Sequence, residues 1–210
     1  MNKLLDLKEE NKVLSEMNKN LSYRMARSSL LVLILLGSAR LSQAQFGLAL
    51  SSGQGILDIV PYRFAVSWDF GSVWQQESLW GLNVLWESSA AVWNSPSRTD
   101  LSPERATDLN AYTTGPMLRW QRQNPLAGTG IRATPYAELG VGLSWLTQTE
   151  IQGRVLSLHF QFEDKIGLGM RFGKKQQYDL ALRAYHYSNA SIKRPNSGVN
   201  LAMMSFGVWL

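Results

Sequence analysis

The stretch that decides the fold is LHFQFEDKIGLGMRF, residues 158–172, in which polarity alternates from one residue to the next. Alternation with a period of two is typical of a β-strand that separates two environments. One face of this strand is apolar, and only Asp164 interrupts it. The polar residues of the other face are His159, Gln161, Glu163, Lys165 and Arg171. The stretch therefore predicts a long strand with one oily side and one charged side.

The same alternation recurs along the chain in segments separated by glycine, proline, asparagine and serine. Those residue types favour turns and interrupt strands. The predicted strands are about 46–52, 61–70, 78–94, 107–122, 132–148, 156–172, 177–190 and 199–210. We expect one all-β domain over residues 45–210, built as an eight-stranded antiparallel barrel.

The position of the apolar face distinguishes a membrane barrel from a soluble one. A soluble lipocalin-like barrel turns its apolar residues inward, and periodicity alone does not separate the two arrangements. Strand length and the aromatic residues near strand ends favour a transmembrane barrel of the outer membrane. Those aromatic residues are Trp68, Trp74, Trp80, Trp93, Tyr112, Trp120, Tyr136, Trp145 and Trp209. The interior is then packed and polar, and we expect Glu163 to pair there with a basic side chain such as Arg183.

The N-terminal region has the pattern of an export signal. In residues 25–44, Arg27 precedes a short apolar run, and Ala44 completes a small-x-small cleavage site. The run is much shorter than the roughly 20 residues of a spanning helix, so a permanent anchor is the weaker interpretation. Residues 1–24 show helical apolar spacing. They predict a non-native or dispensable extension, with a short cytoplasmic helix as the alternative.

Composition excludes several classes of function. The chain has 210 residues and no cysteine, which rules out a disulfide scaffold and thiolate chemistry. The formal net charge is +5, but the first 44 residues hold 7 Lys/Arg against 4 Asp/Glu, which leaves 14 against 12 in the remainder. So small an excess does not indicate nucleic-acid binding, and no nucleic-acid partner is expected.

The last two predicted strands hold the candidate catalytic residues. His186 and Ser188 share the apolar, outward face of one strand. Asn200 lies on the same face of the next strand, so it can approach His186 across an antiparallel pair. Polar side chains that face lipid are costly unless they are hydrogen-bonded or functional. The pattern predicts Ser188 as a nucleophile, His186 as its base and Asn200 as the orienting group.

Ester hydrolysis explains why these residue types would occur together. A serine hydroxyl attacks an ester only when a base such as imidazole takes its proton. A third group accepts a hydrogen bond from the other ring nitrogen and fixes the tautomer. By itself, however, the His-x-Ser spacing is a weak signal, because a histidine of an aromatic girdle beside a chance serine gives the same pattern.

Three stretches resemble one family of enzymes. YRFAVSWDF (62–70), FEDKIGLGMRFG (162–173) and HYSNASIKRPNSG (186–198) are similar to the lipid A 3-O-deacylases of Gram-negative outer membranes, the PagL-type family. The resemblance implies an eight-stranded outer-membrane barrel that hydrolyses the ester-linked acyl chain at the 3-position of lipid A. It implies lipopolysaccharide and membrane lipids as partners, and neither a metal nor a cofactor.

The resemblance also implies roles for single residues. Through the His-x-Ser-Asn motif it assigns the base to His186, the nucleophile to Ser188 and a place in the oxyanion region to Asn189. The family's third catalytic residue is a glutamate, and this chain has Asn200 at that position. An amide orients an imidazole but does not stabilise its positive charge as a carboxylate does. Asp164, which shares the outward face, is therefore the alternative orienting group.

Two other functions stay open at this point. Outer-membrane phospholipases A also combine His-x-Ser with a later asparagine, and such an enzyme would be expected to need calcium and to form dimers. A homodimer is therefore a prediction for this chain as well. A small barrel with a structural or adhesive role and no catalysis is the third interpretation.

Overall fold

The computed structural model of the chain describes residues 45–74, 78–95, 108–126 and 132–210. The predicted signal peptide at 25–44 and the predicted extension at 1–24 lie outside these residues. No helix in the described ranges is long and apolar enough to cross a membrane. The regular structure of these ranges is almost entirely β-strand.

The main chain forms an antiparallel barrel. The strands in the described ranges are β1 Gln45–Gly55, β2 Val60–Trp74, β3 Trp80–Asn94, β4 Leu109–Arg122, β5 Ala133–Leu146, β6 Glu150–Ile151, β7 Arg154–Val155, β8 Phe160–Phe172, β9 Tyr178–Ser188 and β10 Val199–Trp209. Eight of them close in the order β1-β10-β9-β8-β5-β4-β3-β2. The short strands β6 and β7 pair only with each other. The prediction of an eight-stranded antiparallel barrel is confirmed.

The alternating direction of the strands defines two ends of the barrel. The β1–β2, β5–β8 and β9–β10 connections lie at one end, here termed the loop end. The chain enters the barrel at Gln45 and leaves it after Trp209. Both residues lie at the end opposite the loop end. The last residues of β9 and the first residues of β10 therefore lie next to each other at the loop end.

Side chains alternate between lumen and outer surface as the sequence pattern predicts. On β8, Ile166 is 65% exposed and Leu168 is 68% exposed, whereas Glu163 is 1% exposed. This is the reverse of a soluble protein, in which apolar side chains are buried and carboxylates are exposed. The apolar outer surface suits contact with lipid, and the charged residues line the interior.

The lumen is filled by a network of ion pairs. It contains the basic residues Arg63, Arg119, Lys165, Arg171 and Arg183 and the acidic residues Asp69, Glu87, Glu138, Glu163 and Asp179, all buried. The short pairs include Arg63 with Glu163 at 2.6 Å, Lys165 with Glu87 at 2.6 Å and Arg119 with Glu138 at 2.9 Å. Buried charges are tolerated only when they are paired and hydrogen-bonded, and each of these groups has at least one oppositely charged partner in the network.

Glu163 forms the predicted ion pair with a basic side chain of the lumen, but the partner is not Arg183. Glu163 binds Arg63, whereas Arg183 binds Glu138. Glu163 lies opposite Tyr187 on β9, four residues closer to the loop end than Arg183. At about 3.3 Å per residue, this displacement amounts to roughly 13 Å along the strand. Arg63 of β2, on the other side of the lumen, is therefore closer to Glu163 than Arg183 of the neighbouring strand β9.

An apolar cluster lies under the loop end. The rings of Trp93 and Tyr187 meet edge to face, with centroids 4.7 Å apart. Ile151 and Leu156 of the β5–β8 connection are fully buried in the same cluster. Because Tyr187 directly follows His186 on β9 and points inward, this cluster holds the strand end that carries the candidate site.

His159 does not face the lumen, contrary to the sequence-based expectation. It is exposed, and its ring stacks on the outward-facing Trp145 with centroids 5.2 Å apart. Its Nδ1 lies 2.7 Å from the carbonyl oxygen of Leu146. The strand alternation fails here because β8 begins only at Phe160, so the first lumen-facing residue of this strand is Gln161.

Candidate active site

A row of three polar side chains crosses the outer surface near the loop end. His186 of β9 lies in register with Asp164 of β8 on one side and with Asn200 of β10 on the other. All three residues are exposed. Polar groups on the lipid-facing wall of a barrel are destabilising to a degree that depends on depth, so a row of three indicates a functional site.

His186 and Asn200 are joined by a short hydrogen bond. The distance between His186 Nδ1 and Asn200 Oδ1 is 2.6 Å. An amide oxygen can only accept, so the proton of the neutral imidazole is on Nδ1 and the lone pair is on Nε2. This is the tautomer that a general base needs when its substrate group lies on the Nε2 side.

Ser188 follows His186 by two residues on the same outward face. It is the last residue of β9 and is half-buried, opposite Phe162 of β8. The Cα atoms of Ser188 and His186 are about 6.6 Å apart at the usual rise of a strand. No residue of the described ranges forms a hydrogen bond with the Ser188 hydroxyl. The hydroxyl and the free imidazole nitrogen therefore share one surface.

Gly198 leaves room for the imidazole. Its φ is +59°, and a Cβ at this position would lie 3.0 Å from Cε1 of His186. Arg154 Nε donates to the Gly198 carbonyl at 2.9 Å, and the same side chain also binds the Ser197 carbonyl. The β9–β10 loop is thereby held against the ring of His186. Neither residue is predicted from the sequence; the Asn-Ser-Gly turn before β10 is a signal for Gly198, but none points to Arg154.

The side chain of Asn189 lies inside the barrel and not in the site on the outer surface. It is 0% exposed, and its Nδ2 donates to the carbonyls of Leu156 at 2.8 Å and Lys193 at 2.9 Å. Its backbone N–H donates to Asn196 Oδ1 at 3.2 Å. Both hydrogens of the side-chain amide therefore bind the loops, and the side chain is not available to an oxyanion on the outer surface.

Asp164 flanks His186 in the strand register without forming a hydrogen bond to it. Within the described ranges, no ion pair or hydrogen bond joins Asp164 to His186, and the imidazole instead turns toward Asn200. Of the two orienting groups considered, the structure thus brings only Asn200 to the ring. The described residues contain no group of three His, Asp or Glu side chains arranged to hold a metal ion.

The polar row lies in an open groove of about 590 Å³ on the outer wall. Asp164, His186 and Asn200 line it together with Ile166, Ala184 and Ala202 of the row below and Gln54 of β1. Most of its walls are apolar, and its outward-facing polar side chains are the polar row and Gln54, which lies in register with Ala202. A groove of this shape suits an amphipathic ligand, with a polar group at the loop end and hydrocarbon along the wall.

Comparison with known proteins identifies relatives over most of the barrel. The family model described as lipid A 3-O-deacylase (PagL) matches residues 59–209, which include the whole polar row. The lipid A deacylase PagL of Pseudomonas aeruginosa is 29% identical over 138 residues, 66% of this chain and 71% of that protein. The lipid A deacylase PagL of Bordetella bronchiseptica is 29% identical over 147 residues, 69% of this chain and 74% of that protein.

A solved structure agrees with these matches. The crystal structure of the outer membrane enzyme PagL superposes with a TM-score of 0.66 at 25% sequence identity, covering 77% of this chain and 98% of that one. Fold, strand number and sequence therefore all indicate one family of outer-membrane enzymes. The chain belongs to the lipid A 3-O-deacylase (PagL) family.

Proposed function

We propose that this barrel removes the 3-O-linked acyl chain of lipid A at a serine esterase site formed by the polar row and Ser188. Ser188 is the nucleophile, His186 is the general base and Asn200 orients the imidazole. The observation that carries the proposal is the 2.6 Å hydrogen bond between His186 Nδ1 and Asn200 Oδ1. It leaves Nε2 free to act as a base on the surface that also presents Ser188.

The reaction proceeds in two steps. As Ser188 Oγ attacks the carbonyl carbon, His186 Nε2 takes the hydroxyl proton, and it then gives that proton to the departing 3-oxygen of the sugar. Water next attacks the acyl-serine with His186 again as the base, which releases a fatty acid and restores Ser188. The balance is one ester and one water converted to one alcohol and one carboxylic acid.

The tetrahedral intermediate needs a hydrogen-bond donor for its oxyanion. The side chain of Asn189 is committed to the Leu156 and Lys193 carbonyls, so any contribution of Asn189 has to come from its backbone N–H. That group bonds Asn196 Oδ1 at 3.2 Å, at the long end of the range for such bonds. If this N–H exchanged Asn196 Oδ1 for the oxyanion, Asn189 would have its predicted place in the oxyanion region.

The position of the site suits a substrate that stays in the membrane. The lumen is filled by buried ion pairs, so the site is reached along the outer wall. Lipid A is amphipathic, with a phosphorylated sugar at the membrane surface and acyl chains in the hydrocarbon region. Lateral approach brings its ester groups to the loop end and its chains to the apolar wall.

The homodimer that the sequence left open stays a prediction. Sedimentation of the folded barrel in detergent checks it, with a mass of two chains as the expected result and a mass of one chain as the contrary one.

The substrate class is tested with purified, refolded barrel on defined lipid A and, separately, on phospholipid vesicles. Each reaction runs with and without a chelator, and the products are weighed by mass spectrometry. We expect loss of one acyl chain from lipid A, with the chelator having no effect. Release of fatty acid from phospholipid that stops when calcium is removed would instead favour a phospholipase, and no release from either lipid would favour a non-catalytic barrel.

A further inference from the structure

The β9–β10 loop, residues 189–198, is hydrogen-bonded to the β5–β8 connection at several points. Ser157 Oγ donates to the Pro195 carbonyl at 2.6 Å, and the Ser197 N–H donates to the Val155 carbonyl at 3.1 Å. The two connections come from different parts of the chain and meet over the apolar cluster at the loop end. The position of the β9–β10 loop therefore depends on the β5–β8 connection.

Arg154 binds the carbonyls of the last two residues of this loop. Its Nε donates to the Gly198 carbonyl at 2.9 Å, and its Nη2 donates to the Ser197 carbonyl. A guanidinium presents its donors in one rigid plane, so these bonds fix two successive peptide groups together. Arg154 is itself anchored, because its pairing partner in the β6–β7 hairpin, Ile151, is fully buried in the apolar cluster.

Gly198 carries this restraint to the imidazole. Its φ of +59° is in the left-handed region that glycine adopts at little steric cost. The position that a Cβ would occupy lies 3.0 Å from Cε1 and 3.7 Å from Nε2 of His186. Gly198 thus lies against the ring edge that carries the free nitrogen, while Asn200 Oδ1 binds Nδ1 at 2.6 Å. The ring is restrained from both sides.

We propose that Arg154 is a positioning residue of the esterase: by fixing Gly198, it keeps the His186 ring oriented for proton transfer from Ser188. The proposal rests on the proposed function, because it needs His186 to be the base that serves Ser188. Arg154 acts through the backbone of the loop and not on the substrate. A misplacement of about 1 Å at a reacting group costs up to roughly a hundredfold in rate. Loss of Arg154 should therefore lower kcat and leave KM unchanged.

Arg122 offers a matched control. Its Nε donates to the Asn124 carbonyl at 2.8 Å, a bond of the same type as that between Arg154 and Gly198. Arg122 is the last residue of β4, at the end of the barrel opposite the loop end. Arg122→Ala therefore removes one positive charge and one arginine–carbonyl bond without touching the β9–β10 loop.

The test uses two replacements of Arg154. Arg154→Ala removes the whole side chain, whereas Arg154→Met keeps an unbranched apolar stem and removes only the donors and the charge. Steady-state rates on defined lipid A give kcat and KM for both variants, for Arg122→Ala and for the natural barrel. Heat-modifiable gel migration verifies that each barrel is folded.

A spectroscopic measurement separates orientation of the ring from general support of the loop. The chain has two histidines, so barrel labelled with ¹⁵N-histidine gives one set of ring signals for His186 and one for His159. Correlations between ring protons and ring nitrogens show which nitrogen carries the proton. In the natural barrel we expect the neutral His186 ring to carry it on Nδ1, and His159 serves as the internal reference.

We expect both Arg154 variants to lower kcat roughly tenfold to a hundredfold, with KM unchanged. The His186 signals should move toward a mixture of the two tautomers, and the His159 signals should stay in place. Arg122→Ala should change neither the rates nor the His186 signals.

Three results overturn the proposal: an unchanged kcat in both Arg154 variants, a lower kcat with unmoved His186 signals, or loss of barrel folding in both variants. The last result would show that Arg154 stabilises the barrel and does not orient the ring. Failure of the proposed function is distinguished by Ser188→Ala, which would then keep its activity. An inactive Ser188→Ala beside fully active Arg154 variants would refute the role of Arg154 alone.

Discussion

Replacement of Asn200 tests how the imidazole is held. In Asn200→Ala the His186 ring loses its bond to Asn200 Oδ1, which is the only hydrogen bond that the described residues make to the ring. The ring is exposed, so without that bond it can rotate or take the other tautomer. We expect lower activity in a barrel that is still folded, because Asn200 faces outward and contributes nothing to the buried ion pairs.

The size of the loss follows from the type of bond. A neutral hydrogen bond contributes about 0.5 to 1.5 kcal/mol net, and about 1 kcal/mol corresponds to roughly a fivefold change in rate. We therefore expect Asn200→Ala to lower kcat/KM by roughly two- to twelvefold. In Asn200→Glu the bond becomes charge-assisted, which adds about 1 kcal/mol. Activity should then be kept or raised by up to roughly fivefold.

The assay is a pH–rate profile of the natural enzyme and both variants on defined lipid A. A carboxylate next to an imidazole favours the protonated, inactive form of the base. The acidic limb of the profile should therefore move to higher pH in Asn200→Glu and not in Asn200→Ala. Asn94→Ala is a suitable control, because Asn94 is an exposed asparagine at the loop end of β3, outside the groove.

The reasoning is refuted if Asn200→Ala is as active as the natural enzyme. In that case Asn200 is not the orienting group, and the bond in the structure has no catalytic role. Asp164, in register with His186 on the other side, would then be the next residue to replace, as Asp164→Asn.

Two further predictions concern the histidines and the lumen. His186→Asn should abolish acyl release, whereas His159→Asn should retain it, because His159 contacts Trp145 and the Leu146 carbonyl and lies outside the polar row; an inactive His159 variant beside an active His186 variant would show that the wrong histidine was chosen. Glu163→Gln should destabilise the barrel by about 3 kcal/mol, because it removes one partner of the buried pair with Arg63. Urea titration of the refolded barrel measures this, and an unchanged midpoint would contradict the structural role of the ionic network.

Strand alternation explains how much of the site could be predicted. The period of two placed His186, Ser188 and Asn200 on one face, and the antiparallel connection between β9 and β10 brought His186 opposite Asn200. Both inferences use only local geometry, so they do not depend on the rest of the barrel. Counted along β9, the same alternation places Asn189 on the lumen side, where its side chain is buried, although the family motif pointed to the oxyanion region.

What could not be predicted depends on contacts across the lumen or between loops. The partner of Glu163 is Arg63 on β2. How far Arg63 lies from the loop end depends on the shear of all the strands and not on the residues next to Arg63 in the sequence. The start of β8 at Phe160 depends on how the β5–β8 connection packs, so His159 was assigned to the wrong face. The groove that contains His186 is lined by Ala184 and Ala202, which lie side by side only because β9 and β10 pair in this register.

Ser188→Ala tests the central claim most directly. The substitution removes one hydroxyl at the end of β9 that has no hydrogen-bond partner among the described residues, so the barrel should fold as before. Equal amounts of natural and variant barrel, matched by heat-modifiable gel migration, are incubated with defined lipid A and the lipids are weighed by mass spectrometry. We expect lipid A lacking its 3-O-linked acyl chain, together with the free fatty acid, from the natural barrel and intact lipid A from the variant. Deacylated product formed at the natural rate by the variant would contradict it.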